Sequence, residues 1–222
     1  LAAEPLMARM GELLMSESFD RADLPPQFRT GTGNWSVRDG ALRGQELASS
    51  HHSAFRKLFL NHQDVVYQVD FKIQGDATAR FMINYELVHI ANCFVNHKEV
   101  TFTKLAEAKK RKAMETQAKK NHQPIEAGNW QKTPVKFSIP NANFREDTWY
   151  TLTIELIGDE ALAHVDGMTL YAKHSGLRER KTNVGLQAVG LNGSVSYDNL
   201  RVWEATQQPE WNEKRNIYAP RK

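Results

Sequence analysis

Two consecutive runs of alternating apolar and polar residues constrain the fold of this chain more than any other feature. In the run 65–73, the apolar set is Val65, Tyr67, Val69, Phe71 and Ile73, and the polar set is Gln68, Asp70 and Lys72. In the run 79–86, Phe81, Ile83 and Tyr85 alternate with Arg80, Met82, Asn84 and Glu86. A period of two places the apolar set on one face of a strand. We therefore expect half-buried strands joined by a turn at Gly75-Asp76.

The polar faces of these strands provide the candidate ligand site. Arg80, Asn84 and Glu86 recur at even spacing, and we expect Asp70 and Lys72 on the neighbouring strand, with His89 just beyond. This mixture of donors and acceptors suits sugar hydroxyls, so the expected ligand-binding residues are Asp70, Lys72, Arg80 and Asn84. Glu86 and His89 are the catalytic candidates, since either side chain can transfer a proton. The alternatives are a solvated sheet face with a Glu86–Arg80 ion pair, and a core position for His89.

The remaining sequence predicts further antiparallel strands. Asp39-Gly40 indicates a hairpin in which Trp35, Val37 and Leu42 face inward. The segments 149–158 and 161–165 predict a meander that continues beyond Asp166-Gly167, and 183–189 and 194–203 predict two last strands. A short helix is expected at 5–14, an entry strand over 14–19 and a strand at 135–139. The fold class is therefore an all-β antiparallel sandwich of jelly-roll type.

One charged insertion interrupts the β pattern. Residues 104–121 are almost wholly good helix formers without Gly or Pro, which predicts a helix. Seven cations and two carboxylates fall within 104–120, so this segment carries +5 and the remainder of the +3 chain carries −2. The basic charge is thus local, and nucleic acid is not an expected partner. We expect an N-terminal segment 1–15, a sandwich domain 16–205 and a polar tail 206–222 whose Trp211 and Tyr218 dock on the domain.

Several motifs resemble a known group of proteins. They are Phe19-Asp20, the Trp35–Leu42 hairpin, Trp149-Tyr150-Thr151-Leu152, Val165-Asp166-Gly167 and the run Tyr197-Asp198-Asn199-Leu200-Arg201-Val202-Trp203. Together they resemble the concanavalin A-like lectin and glucanase sandwiches, and within them the 3-keto-disaccharide hydrolase-like domains, over about 16–205. The resemblance implies a carbohydrate-active sandwich that acts as a glycoside hydrolase in secreted proteins. The Glu-x-Asp-x-x-Glu strand of laminarinase-like enzymes does not occur in the sequence, which disfavours their paired-carboxylate mechanism.

Metal and cofactor signals are weak. The pair His51-His52 would point to opposite faces of a strand and lacks neighbouring ligands. Oxygens of Asp20, Asp198-Asn199 and Asp166-Gly167 could bind Ca²⁺, although turn formation explains the last pair. No cofactor is otherwise expected. Cys93 is the only cysteine and is expected to be a small buried residue.

The leading hypothesis is an exported protein that binds a saccharide and hydrolyses a glycosidic bond. Leu1-Ala2-Ala3-Glu4 is typical of the end of a signal peptide, and no apolar run approaches the roughly 18 residues that cross a bilayer. The alternatives are a carbohydrate- or matrix-binding module without catalysis, and an interaction protein that uses the helical insertion.

Overall fold

The protein is a sandwich of two antiparallel sheets. The computed structural model describes residues 4–21, 23–29, 31–86, 88–103, 108–121 and 136–219. The strands are β1 Ala8–Glu17, β2 Phe28–Arg29, β3 Asn34–Arg38, β4 Ala41–Gln45, β5 Ala54–His62, β6 Val65–Gly75, β7 Thr78–Tyr85, β8 Val88–Val95, β9 Glu99–Thr103, β10 Phe137–Pro140, β11 Trp149–Ile157, β12 Glu160–Val165, β13 Met168–Lys173, β14 Lys181–Val189 and β15 Gly193–Gln207. The helices are α1 Ala108–Lys120 and α2 Trp211–Tyr218.

The two sheets enclose one main hydrophobic core. Sheet A has the order β13-β12-β11-β6-β15-β4-β3, with β1 paired to β15, and sheet B has the order β10-β9-β8-β7-β14-β5-β2. Phe71 and Leu152 of sheet A and Phe81 and Leu186 of sheet B are among the buried residues between them. Alternate residues of each strand therefore lie on an outer face of the sandwich.

Local patterns predicted most of these elements correctly. Asp39 and Gly40 both have positive φ, 52° and 70°, which is the geometry of a two-residue hairpin turn. Leu42 is buried, and Trp35 and Val37 pack against the core. The β11-β12-β13 meander, strands β14 and β15, and the buried position of Cys93 are confirmed.

The helix predicted over 5–14 is wrong, because residues 8–17 form β1 instead. The backbone N–H groups of Leu6, Met7 and Ala8 donate to the buried carboxylate of Glu155 at 2.9, 2.7 and 2.6 Å. β1 then pairs with β15. An extended backbone satisfies these donors outside the segment, so tertiary contacts override the helix propensity of a Leu- and Met-rich sequence.

Both predicted accessory segments are helical in their described parts. α1 covers most of the predicted helix, whose first residues, 104–107, lie outside the described residues. Residues 1–3 and Val135, the predicted start of a strand, also lie outside them. The tail forms α2, and Trp211 is fully buried in a second apolar cluster with Met7, Leu162 and Tyr171. The tail therefore docks on the outer face of sheet A. The sequence predicted that the tail docks on the domain, without indicating the face. Among the described residues, no helix is long and apolar enough to cross a membrane.

Candidate functional site

Four polar side chains gather on the outer face of sheet B. The register pairs Gln187 with Arg80, Arg80 with Phe94 and Phe94 with Thr101 in one cross-strand row, and Met82 with Asn92 in the next row. These residues alternate with core residues such as Phe81 and Cys93, so they project away from the core. We call Arg80, Asn92, Thr101 and Gln187 the quartet.

Three members of the quartet are buried, Arg80 is half-buried, and all four have buried polar atoms without a partner among the described residues. Asn92, Thr101 and Gln187 are 0%, 2% and 2% exposed. Among the residues that the structure describes, Arg80 Nε, both amide atoms of Asn92, Thr101 Oγ1 and Gln187 Oε1 have no hydrogen-bond partner. Most buried polar groups in proteins are hydrogen-bonded, so several unpartnered groups on one face require an explanation. A polar ligand or ordered water would supply the missing partners.

Arg80 is the charged member of the quartet. Its guanidinium carbon lies 4.1 Å from the centroid of the Phe94 ring, a cation–π contact. Burial lowers the pKa of Arg80 to about 10, and the nearby Tyr197 and Glu46 oppose this shift. Arg80 is therefore still charged at neutral pH and is held in place by stacking. The predicted surface ion pair between Arg80 and Glu86 is not formed, since Glu86 pairs elsewhere.

A hydrogen-bonded chain of side chains lies at the end of the same face. His89 Nδ1 lies 2.7 Å from Asn84 Oδ1, Asn84 Nδ2 donates to Asn183 Oδ1 at 2.8 Å, and Asn183 Nδ2 donates to the carbonyl of Glu86 at 2.8 Å. An amide oxygen only accepts, so His89 Nδ1 is the donor. His89 is thus fixed on the outer face rather than in the core.

Glu86 occupies the turn after β7 instead of the strand predicted for it. It has φ 51°, and its carboxylate accepts a hydrogen bond from Lys112 of α1. This hydrogen bond lowers the pKa of Glu86 below its ordinary value, so the side chain is ionised at neutral pH. The contact links the helical insertion to the end of sheet B. α1 also contacts β7 and β8.

Asp70 and Lys72 do not share this face, and that part of the sequence prediction is wrong. β6 belongs to sheet A and β7 to sheet B, although only two residues separate them in the chain. Asp70 accepts from Thr151 Oγ1 at 2.5 Å, and Lys72 forms an ion pair of 3.0 Å with Asp147. The connection crosses between the sheets instead of forming a hairpin, which puts the two polar sets on opposite sides of the sandwich.

The structure adds three residues that the alternation of β7 did not reveal: Asn92, Thr101 and Gln187. Each belongs to a different strand, and Thr101 and Gln187 lie far from β7 in sequence. The only local signal was a polar residue inside an otherwise apolar run, as in Ile90-Ala91-Asn92-Cys93-Phe94. Their grouping depends on strand order, which the local pattern does not contain.

Of the residues considered for Ca²⁺, one pair forms a turn and Asp198 lies near two other carboxylates. Asp166 and Gly167 have φ values of 49° and 75° and form the β12-β13 turn. Burial raises the pKa of Asp198, with smaller contributions from Asp70 and Asp20. Within the described ranges, no group of three or more His, Cys, Asp or Glu side chains is arranged to hold a metal ion.

Two antiparallel sheets with a polar outer face define a jelly-roll sandwich of concanavalin A-like type. The family model of the 3-keto-alpha-glucoside-1,2-lyase-like domain matches residues 16–203. The chain therefore belongs to this family, which confirms the resemblance in the sequence. No curated protein matches the sequence.

Solved structures support the same fold. The carbohydrate-binding module CBM66 from Bacillus subtilis is similar with a TM-score of 0.56 and 14% identity, over 80% of this chain and 96% of that one. A non-specific endo-β-1,3(4)-glucanase of family GH16 has a TM-score of 0.59 and 11% identity, over 91% and 96%. Porphyranase B from Zobellia galactanivorans has a TM-score of 0.57 and 9% identity, over 86% and 91%.

Proposed function

We propose that this protein is exported, binds a saccharide on the outer face of sheet B and cleaves a glycosidic bond there. The observation that carries the proposal is the quartet, whose buried polar atoms have no partner among the described residues. Leaving such a group unsatisfied costs about 1–3 kcal/mol. A saccharide presents several hydroxyls that donate and accept, so one sugar ring can satisfy an arginine, two amides and a hydroxyl together.

The family suggests a 3-keto sugar as substrate, and the chemistry of such a sugar fits the side chains present. A ketone at C3 acidifies the proton at C2. A base removes this proton, the C1–C2 double bond forms, and the bond from C1 to the departing oxygen breaks. That oxygen takes a proton as the second sugar leaves, and addition of water to the double bond would complete a net hydrolysis. This route does not require the paired carboxylates that the sequence lacks.

Two residues are assigned to the proton transfers. Glu86 is ionised at neutral pH, which suits the base. His89 donates through Nδ1 to Asn84. We assign the proton for the departing oxygen to Nε2 of the protonated ring, which becomes neutral as the second sugar leaves. Arg80 is charged and stacked on Phe94, and we assign to it the stabilisation of negative charge that develops on the C3 oxygen.

Turnover of 3-keto-disaccharides and of the parent disaccharides tests the proposal. We expect product from the 3-keto sugars and a loss of about a hundredfold in His89→Ala. His52→Ala is the matched control, because His52 is an exposed histidine in an isolated bridge that precedes β5. Equal turnover in the two histidine variants would remove His89 from the mechanism.

The second candidate function is a saccharide-binding module. The observation that favours it is the exposed position of Glu86 in an ion pair with Lys112, where water screens a carboxylate. Binding without product across the same panel would establish the module and contradict the enzyme. Partner capture through α1 is tested separately, by deletion of 106–121 followed by sedimentation and pull-down measurements.

A further inference from the structure

A pocket of about 460 Å³ lies at the other side of the sandwich, on sheet A. Residues that line it include Glu4, Trp149, Thr151, His164, Asp166 and Thr169. They come from the N-terminal segment, from β11 to β13 and from the turn between β12 and β13. We propose that this Trp149 pocket is a second saccharide-binding site that takes a neutral sugar ring.

Trp149 provides an aromatic platform for the ring. It begins β11 and is 44% exposed, an unusual degree of exposure for a large indole. The ammonium group of Lys72 lies 5.3 Å from its ring centroid. In sheet A, β11 lies between β6, which carries Lys72, and β12, which lines the pocket. The indole also lines the pocket, and the C–H face of a sugar can stack on an aromatic ring.

A buried relay orients a hydroxyl at the pocket wall. Thr169 Oγ1 lies 3.1 Å from His164 Nδ1, and His164 Nε2 lies 2.5 Å from Glu155 Oε1. The Glu155 carboxylate also accepts the backbone N–H groups of residues 6–8 and is fully buried. A carboxylate only accepts, so Nε2 carries a proton, and Nδ1 on the other side of the ring is hydrogen-bonded to the Thr169 hydroxyl. The Thr169 oxygen keeps a lone pair that can accept from a ligand hydroxyl.

The charges at the pocket select among sugars. Glu4 and Asp166 contribute carboxylates, and none of the described lining residues is Lys or Arg. The Lys72 ammonium beside Trp149 is paired with the Asp147 carboxylate. Carboxylates accept hydrogen bonds from sugar hydroxyls, but they repel an acidic sugar. The volume lies within the range of small-molecule sites. A neutral monosaccharide or disaccharide end is therefore the ligand class that fits.

The Trp149 pocket is independent of the proposed catalytic face. β11, β12 and β13 belong to sheet A, whereas the quartet and His89 belong to sheet B, so the main core separates the two sites. Both sites can be occupied at once. The pocket would hold one end of a substrate or polymer while the other face binds and cleaves a second segment.

Calorimetric and tryptophan-fluorescence titrations test the inference with methyl α-D-glucoside as the neutral probe and D-glucuronate as the acidic one. The variants are Trp149→Ala and Asp166→Asn, the latter keeping a residue that tolerates positive φ in the turn. Leu191→Ala is the control, because Leu191 is an exposed apolar residue outside both sites. Thermal melting checks that every variant is folded.

We expect Trp149→Ala to weaken methyl α-D-glucoside binding by about tenfold or more. Leu191→Ala should bind this probe as the wild type does. The wild type should bind D-glucuronate more weakly than methyl α-D-glucoside. Turnover of short substrates on sheet B should be unchanged in Trp149→Ala. If the wild type shows no turnover but still binds methyl α-D-glucoside through Trp149, the proposed function is refuted and the second site stands. Absence of methyl α-D-glucoside binding, or equal affinity in the wild type and Trp149→Ala, would overturn the inference.

Discussion

Replacing Thr101 by Val should make the protein more stable and a poorer saccharide binder. Thr101 is 2% exposed, lies on the outer face of sheet B, and its hydroxyl has no partner among the described residues. Valine has nearly the same shape and the same preference for strands. The substitution therefore removes one unsatisfied polar group and changes little else.

The expected magnitude follows from the desolvation of that hydroxyl. An unsatisfied buried polar group costs about 1–3 kcal/mol, so we expect the free energy of unfolding to rise by about 1–2 kcal/mol. For a chain of this size, each kcal/mol corresponds to about 2–4 °C in Tm. Loss of one hydrogen bond to a ligand, about 1 kcal/mol, should lower the saccharide affinity about fivefold.

Urea unfolding of Thr101→Val and of Thr153→Val measures this effect against a matched control. Thr153 is fully buried on the outer face of sheet A, and its hydroxyl accepts a hydrogen bond from Gln68 Nε2 at 3.4 Å. The control should gain no stability, because Val breaks an existing hydrogen bond. A loss of stability in Thr101→Val equal to that in the control would mean that the Thr101 hydroxyl is already satisfied, and the quartet would then be a structural network rather than a ligand site.

Three further substitutions test other parts of the structure. Glu86→Gln should melt at the same temperature as the wild type, since the side chain is exposed. Its turnover should fall by about a hundredfold, and normal turnover would exclude Glu86 as the base. Burial lowers the pKa of His62 from 6.5 to about 4, so protonation of His62 favours unfolding. As the pH falls from 6.5 to 4, the free energy of unfolding of the wild type should fall by up to about 3 kcal/mol more than that of His62→Gln. Parallel pH profiles of the two proteins would contradict this. Glu155→Gln should destabilise the protein by about 3 kcal/mol, because it removes a charged acceptor of three backbone N–H groups and of the His164 N–H. Hydrogen exchange at residues 6–8 should become faster. Unchanged protection of these residues would refute the anchoring role of Glu155.

Period and turn chemistry predicted most of the strands, β1 excepted, but not which strands are neighbours in a sheet. The alternation in β6 and β7 assigned the inward and outward residues of both strands, and Asp39-Gly40 predicted its turn. The same alternation is compatible with a hairpin and with a crossing between two sheets, so it did not reveal that Asp70 and Arg80 lie on opposite sides.

The candidate site was only partly predictable for a related reason. Arg80 and Asn84 were found because the alternation of β7 directs them away from the core, and His89 because it follows that strand closely in sequence. Asn92 and Gln187 join the site through register between strands. Their burial without partners is a property of the assembled sheet. The predicted helix over 5–14 failed because Glu155, far away in sequence, binds the extended backbone.

A crystal structure of the protein soaked with neutral disaccharides and their 3-keto forms tests the central claim most directly. We expect sugar hydroxyls within hydrogen-bond distance of Arg80, Asn92, Thr101 and Gln187, with C1 and C2 of the ring near Glu86 and His89. Ordered water that satisfies all four side chains while sugar binds elsewhere, or binds nowhere, would contradict the assignment of the sheet B face as the saccharide site.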